Sequence, residues 1–176
     1  MWSSPRVVTA PTDEPITLEA AKSFLRVDGD DLDAEIGRYA AGARGLIESM
    51  TSTRIMPQTV ELSASSFSDL AWLPIGPVTS VVSISYRLGD GTSAEVDAAS
   101  YELTGANIER GIVPAPGARW PTVANRSDAV TVRLEVGYGD AIPADLVLAL
   151  YAALRGLAEG TEPLVEALVV NHRIWL

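Results

Sequence analysis

The sequence contains no cysteine, which excludes disulfide staples, thiolate nucleophiles and thiolate metal sites. Histidine is almost as scarce. His172 is the only one, and a Ser–His–Asp centre would have to hang on it, close to a chain end of the kind that is usually poorly held. Positive charge is also in short supply: 13 Lys and Arg stand against 23 Asp and Glu, a formal net charge of −10. Grip on nucleic acid comes mainly from clustered basic side chains. Here they are scattered, so a protein that holds phosphate backbones is disfavoured. The longest strongly apolar run, Leu146 to Leu154, is nine residues, whereas a membrane helix needs roughly 20. The opening Met1-Trp2-Ser3-Ser4-Pro5-Arg6 lacks the apolar stretch of a signal peptide. The expectation is a soluble protein made inside the cell.

Catalytic and ligand motifs are missing as well. Gly89-Asp90-Gly91 and Gly137-Tyr138-Gly139 do not continue as phosphate-cradling G-x-G-x-x-G loops. Nothing brings Glu102 and Glu109 together as a carboxylate pair, and Asn125-Arg126-Ser127 is a glycosylation triplet without a secretion signal. The acidic stretch Asp28–Glu35 is superficially like a calcium loop. Counted from Asp28, however, the position needing an oxygen ligand is Leu32, the glycine position is Asp33 and the twelfth is Tyr39. Helix capping and dipole compensation account for these acids without a metal. No cofactor is implied.

What is present is material for a core. Of 176 residues, 47% are apolar and 20% charged, which fits one domain with a small subdomain or tail. Residues 1–15, with Pro5, Pro11 and Pro15, read as an extended N-terminal arm. Thr17 caps a helix over 17–27 that carries Leu18, Ala21 and Leu25 on one face and ends at Gly29. A second helix over 30–52 places Leu32, Ile36, Tyr39, Ala43, Ile47 and Met50 on a stripe. Its middle is crowded with the small residues Ala40, Ala41, Gly42, Ala43 and Gly45. Helical glycines cost about 1 kcal/mol each, so a close neighbour, from this chain or another copy, is expected there.

From 57 to 139 the period becomes two. Val60 and Leu62 alternate with polar residues, as do Val82, Ile84, Tyr86 and Leu88, and then Val130, Val132, Leu134, Val136 and Tyr138; Tyr101 and Leu103 suggest a further short strand. Gly89-Asp90-Gly91-Thr92 reads as a hairpin turn. The pattern predicts an antiparallel sheet, as a small barrel or an open layer. Pro143 opens a final long helix over 143–159, apolar on every side from Leu146 to Leu154 and therefore expected to be buried all round. Gly160 ends it, and Glu162-Pro163 restarts a short helix through Val170. The fold class is thus α+β: a helical bundle of three main helices plus a short C-terminal helix, with an inserted antiparallel β-rich subdomain. Residues 16–160 form a single domain and 161–176 a C-terminal helix and tail.

Three tryptophans, Trp72, Trp120 and Trp175, lie off the periodic stripes, and tryptophan is enriched at interface hot spots. Arg173-Ile174-Trp175-Leu176 leaves an apolar end that is costly to keep in water, so the tail is expected to dock on another protein.

The order of these features resembles the head–tail connector (adaptor) proteins of tailed phages, within them the siphophage-like connectors that include those of bacterial gene transfer agents. The likeness rests on Ile16-Thr17-Leu18-Glu19-Ala20-Ala21-Lys22 with Leu25-Arg26-Val27-Asp28, then Asp30-Asp31 and Ile36. It continues through Leu73-Pro74-Ile75-Gly76-Pro77-Val78-Thr79-Ser80-Val81, Trp120-Pro121, Val136-Gly137-Tyr138-Gly139 and Ile142-Pro143-Ala144-Asp145-Leu146. It spans about residues 15–176, with a shortened segment after the last long helix. The resemblance implies a virion structural protein, not an enzyme: a dodecameric ring at the neck of a phage-like particle, assembled in the bacterial cytoplasm. Its partners would be further copies of itself, the portal and the stopper or tail-completion protein, with DNA passing along the channel and no membrane involved. Portal docking would fall on His172, Arg173, Ile174, Trp175 and Leu176. Subunit packing would fall on Ala40, Ala41, Gly42, Ala43 and Gly45, with Arg38 or Arg44 meeting a neighbour's acids. Removing residues 171–176 should then leave a folded subunit that no longer attaches. The alternative is an acidic ligand- or calcium-binding module built on Asp28–Glu35.

Overall fold

The computed structural model describes residues 1–175. It is α+β, with four α-helices and two antiparallel sheets. The chain divides into two compact units: Met1–Ala10, Pro57–Gly137 and the chain from Ile174 form one, and Pro11–Met56 with Tyr138–Arg173 form the other.

In the helical unit, α1 (Leu18–Leu25) begins where extended Thr17 accepts a hydrogen bond from the Ala20 N–H at 3.2 Å. It ends at Arg26, not Gly29, because Arg26 itself takes the left-handed conformation (φ 58°) and closes the last turn on Lys22 and Ser23 carbonyls. Helix α2 (Asp33–Thr51) buries Ile36, Ala40, Ala43 and Ile47. The stripe therefore runs through the alanines, while Tyr39 and Met50 are half-buried and Leu32 is exposed. Helix α3 (Ala144–Glu159) buries Leu146, Ala149, Leu150, Ala153 and Leu154, and Gly160 caps it in the left-handed region. It is not buried all round, since Leu148 is 61% exposed. Nine apolar residues in a row conceal a polar-period helix whose outward face happens to lack charge until Arg155. The chain restarts only at the single turn α4 (Glu166–Val169), followed by a 3-10 turn at Val170–His172.

These helices share one apolar cluster with Ile16, Ile55, Val165 and Val169. Each fully buried Leu or Ile adds about 1.5–3 kcal/mol of transfer free energy.

In the β unit, strands β1 (Arg6–Thr9), β2 (Gln58–Ala64), β3 (Val78–Arg87), β4 (Ser93–Glu95) and β7 (Val130–Val136) form a five-stranded sheet in the order β1-β2-β7-β3-β4. Two free edges make it an open layer. Strands β5 (Tyr101–Ala106) and β6 (Glu109–Pro114) pair as a separate hairpin. Alternation places Val60, Leu62, Val132 and Leu134 inward, with Leu134 opposite both Val60 and Val81. In β3 the register slips between Val81 and Ser83. That bulge turns Val82 outward, to 50% exposure, while Val81 packs on the core. The segment read as an N-terminal arm is an edge strand whose Arg6 lies opposite Glu61 and bonds it. Leu88 N–H to Thr92 O (2.9 Å) and two bonds to Asp90 Oδ1 close the expected hairpin turn.

Candidate functional site

Three places in the chain carried functional expectations: the tail, the small-residue stretch of α2 and the acidic loop before it. Each is best read from its contacts.

The tail is mostly spoken for within its own chain. His172 Nε2 lies 2.7 Å from Asp145 Oδ2 at the first turn of α3, and the His172 ring stands edge-on to Tyr138. Burial works to raise the Asp145 carboxyl, but the hydrogen bond and charge of His172 outweigh it and hold the group below its usual range. Arg173 Nε donates to the Met50 carbonyl at 2.7 Å. Ile174 is only 4% exposed and sits against Gly76, whose missing side chain leaves the room. Trp175 is 66% exposed; Leu176 lies outside the described residues. A truncation at 171 would thus remove folded contacts as well as any docking element, so the expectation that it leaves the subunit intact is revised. Beside this cluster, burial pushes the Tyr138 hydroxyl up from 10.0 to about 12, with Thr53 working against it.

The small residues of α2 divide by direction. Ala40 and Ala43 are buried in the chain's own core and cannot form a surface for another copy. A side chain at Gly42 would meet Leu157 Cδ1 of α3 at 3.2 Å, so its close neighbour is internal. Ala41 is half-buried, and Gly45 faces open space with no heavy atom within 4 Å. Arg44 is likewise committed at home: it grips Glu14 through Nε (2.6 Å) and Nη2 (3.0 Å) and reaches buried Glu48 at 3.2 Å. Glu48 in turn accepts the Ile55 N–H. Arg38 stays exposed.

In the acidic loop, Lys22 bonds Asp30 (3.0 Å) and Asp33 (2.6 Å), which raises the Lys22 pKa, Asp33 contributing most. Among the described residues no group of three or more His, Asp or Glu is placed to hold a metal ion. The expected side-chain cap is not made, since Leu32 holds the N-cap position of α2; Asp33 and Glu35 instead lie in its first turn, with Lys22 bridging Asp30 and Asp33, and no observation favours the calcium reading. Glu102 and Glu109 sit on β5 and β6 opposite Val113 and Ala106, so the hairpin register keeps them from pairing.

Of the tryptophans, Trp120 stacks on Phe67 (4.6 Å between centroids, 3° apart), and Trp72 accepts through its carbonyl from Trp2 Nε1 while exposing part of its ring. Sequence reasoning missed an open groove of about 780 Å³ on the helical unit, with Leu46 and Met50 of α2 on one side and residues 162–170 on the other. Its rim carries Leu164, 91% exposed, and the acids Glu162 and Glu166. The available signal was an apolar triplet, Pro163-Leu164-Val165, set between two glutamates.

No family model matches the sequence, and no curated protein matches it. Solved structures do. The fold is similar to that of a chain in the virion of a native gene transfer agent (GTA) particle, at TM-score 0.78 and 24% identity. It is similar also to chains of two GTA necks, one from an empty particle computed with C6 symmetry (TM-score 0.80, 23% identity) and one from a native particle computed with C12 symmetry (0.70, 23%). In each case the match covers 99% of this chain and 97% of the other. At such identity the likeness shows a shared fold, helical and β units included.

Proposed function

We propose that this protein is a structural head–tail connector (adaptor) subunit of a siphophage-like or gene transfer agent particle, with no catalytic role. The observation that carries the reading is the end-to-end likeness to chains of GTA necks, at TM-score up to 0.80 with almost nothing unmatched on either side. Twelve copies form a ring that joins the portal to the stopper, and DNA passes through the channel without sequence-specific contact. A charge of −10 per copy suits that task, because repeated negative charge repels a polyanion and favours passage over retention. The helices pack as a bundle that carries the β unit as an insertion.

The portal-docking element is the tail, presented from its anchored part. His172, Arg173 and Ile174 set its path, and Trp175 with Leu176 makes the contact. A large aromatic left 66% exposed is the chemistry of an interface anchor. The test is attachment of purified chain to portal-bearing heads. Trp175→Ala should remain folded by circular dichroism yet lose attachment; attachment at wild-type level would overturn the tail assignment.

A further inference from the structure

We infer that the groove between α2 and residues 162–170 is the seat for the outer face of α3 from a second copy of this chain. The inference rests on the ring reading above and names the two surfaces that would meet. A ring needs heterologous contacts, so each copy must present two different, complementary faces. The helical unit has two such faces.

One is the groove. Leu46 and Met50 supply an apolar floor, Leu164 and Val170 an apolar lip, and Glu162 and Glu166 a negative rim. Leu164 and Val170 are both well exposed. The other is the ridge on α3. Leu148, Tyr151 and Arg155 fall at i, i+3 and i+7, so they share one side of the helix. That side lies opposite the core-facing Leu146, Leu150 and Leu154, although Tyr151 is half-buried against Phe24 (4.8 Å between ring centroids), so Leu148 and Arg155 form its exposed part. Leu148 is one of the most exposed large apolar side chains in the chain. Arg155 is exposed, and its guanidinium stacks over the Phe24 ring at 4.5 Å. Among the described residues it has no carboxylate partner.

The two faces match in chemistry: an apolar helical ridge ending in a cation, and an apolar trough edged by two carboxylates. A helix laid in an apolar groove through i, i+3 and i+7 anchors is a common recognition mode. Charge sets its direction, since Glu159 lies one turn beyond Arg155 and must point away from Glu162 and Glu166. Gly45, on the exposed side of α2, presents no side chain to keep an approaching helix at a distance.

The absence of cysteine makes the test clean. Full-length Leu148→Cys and Leu164→Cys proteins are mixed in equal amounts and treated with a short bismaleimide, and wild-type oligomer size is read by light scattering in parallel. The expected product is the mixed dimer, at least tenfold over either homodimer, whereas Val82→Cys on the β unit with Leu164→Cys gives none. Glu166→Lys should cut the yield about tenfold, and Arg155→Glu in the partner should restore it. Rings in the wild type without the mixed cross-link would overturn the surface assignment and leave the ring standing. No cross-link from a chain that stays monomeric at every concentration would sink both.

Discussion

Replacing Gly45 by alanine should stabilise the isolated protein more than replacing Gly42 does. Both lie inside α2, where glycine is less favourable than alanine by about 0.8–1 kcal/mol. At Gly45 a new Cβ meets nothing within 4 Å, so the whole gain is realised. At Gly42 the Cβ would sit 3.2 Å from Leu157 Cδ1, so the half-buried Leu157 must give by a fraction of an ångström, and crowding of that kind takes back part of the gain. A gain of about 1 kcal/mol in a protein of this length raises the melting temperature by about 2–4 °C. The assay is thermal unfolding followed by helical circular dichroism, with Gly37→Ala as a control at a second open position. Equal stabilisation at Gly42 and Gly45 would refute the packing argument. The contrast has a functional edge. A glycine that weakens its own helix and fills no internal need is one the fold alone does not explain, so Gly45→Ala should strengthen the monomer while weakening self-association.

Three further outcomes follow from the contacts. Ile174→Ala should cost about 2–4 kcal/mol, as expected for a buried isoleucine cut back to alanine, measured by urea unfolding; a loss under 1 kcal/mol would mean that the tail is not anchored. Arg6 first, then Arg133, hold the Glu61 carboxyl below its ordinary 4.5. A depressed folded pKa makes that stabilisation complete above 4.5 and lost as pH falls below it. Amide protection along β1, taken relative to the unfolded chain at the same pH, should therefore fall in acid, and Glu61→Gln should flatten the profile. Tyr138, raised to about 12 by burial, keeps its proton after the unfolded chain has lost it. Folding stability should decline between pH 10 and 12, and Tyr138 should be the last phenol in an ultraviolet titration, since Tyr39 and Tyr101 are also raised; Tyr138→Phe should remove that last step and lessen the decline.

Much of the β unit was legible in the sequence, because β2 and β7 are half-buried and alternation reports which face is covered. Strand β1 was not. All four of its residues are exposed on an edge, so Val7 and Val8 carry no alternation to read. In β3 one extra residue at the bulge moved Val82 from the inner set to the outer, and no composition signal marks a bulge made by valine. Helix positions were legible to within a turn. The ends were less so, since Arg26 adopts a left-handed conformation ordinarily reserved for glycine and Gly29 drew the boundary too far.

The harder problem was deciding which apolar residues face outward. Ile174 and Trp175 are neighbours with similar hydrophobicity, and one is buried while the other is open; only the gap left by Gly76, far away in sequence, separates them. The same holds for Leu148 among the apolar residues of α3 and for Leu164 beside buried Val165. Arg44 shows the converse. It read as a cation free for a neighbour, yet Glu14, thirty residues earlier, had already claimed it. Surfaces for other polypeptides are built from residues the chain's own core declines, and that selection is made by packing between segments distant in sequence. Local patterns therefore found the tail and the small-residue helix as regions of interest. Which of their residues stay exposed, Trp175 and Gly45 rather than Ile174 and Ala43, emerged only once the core had taken its share.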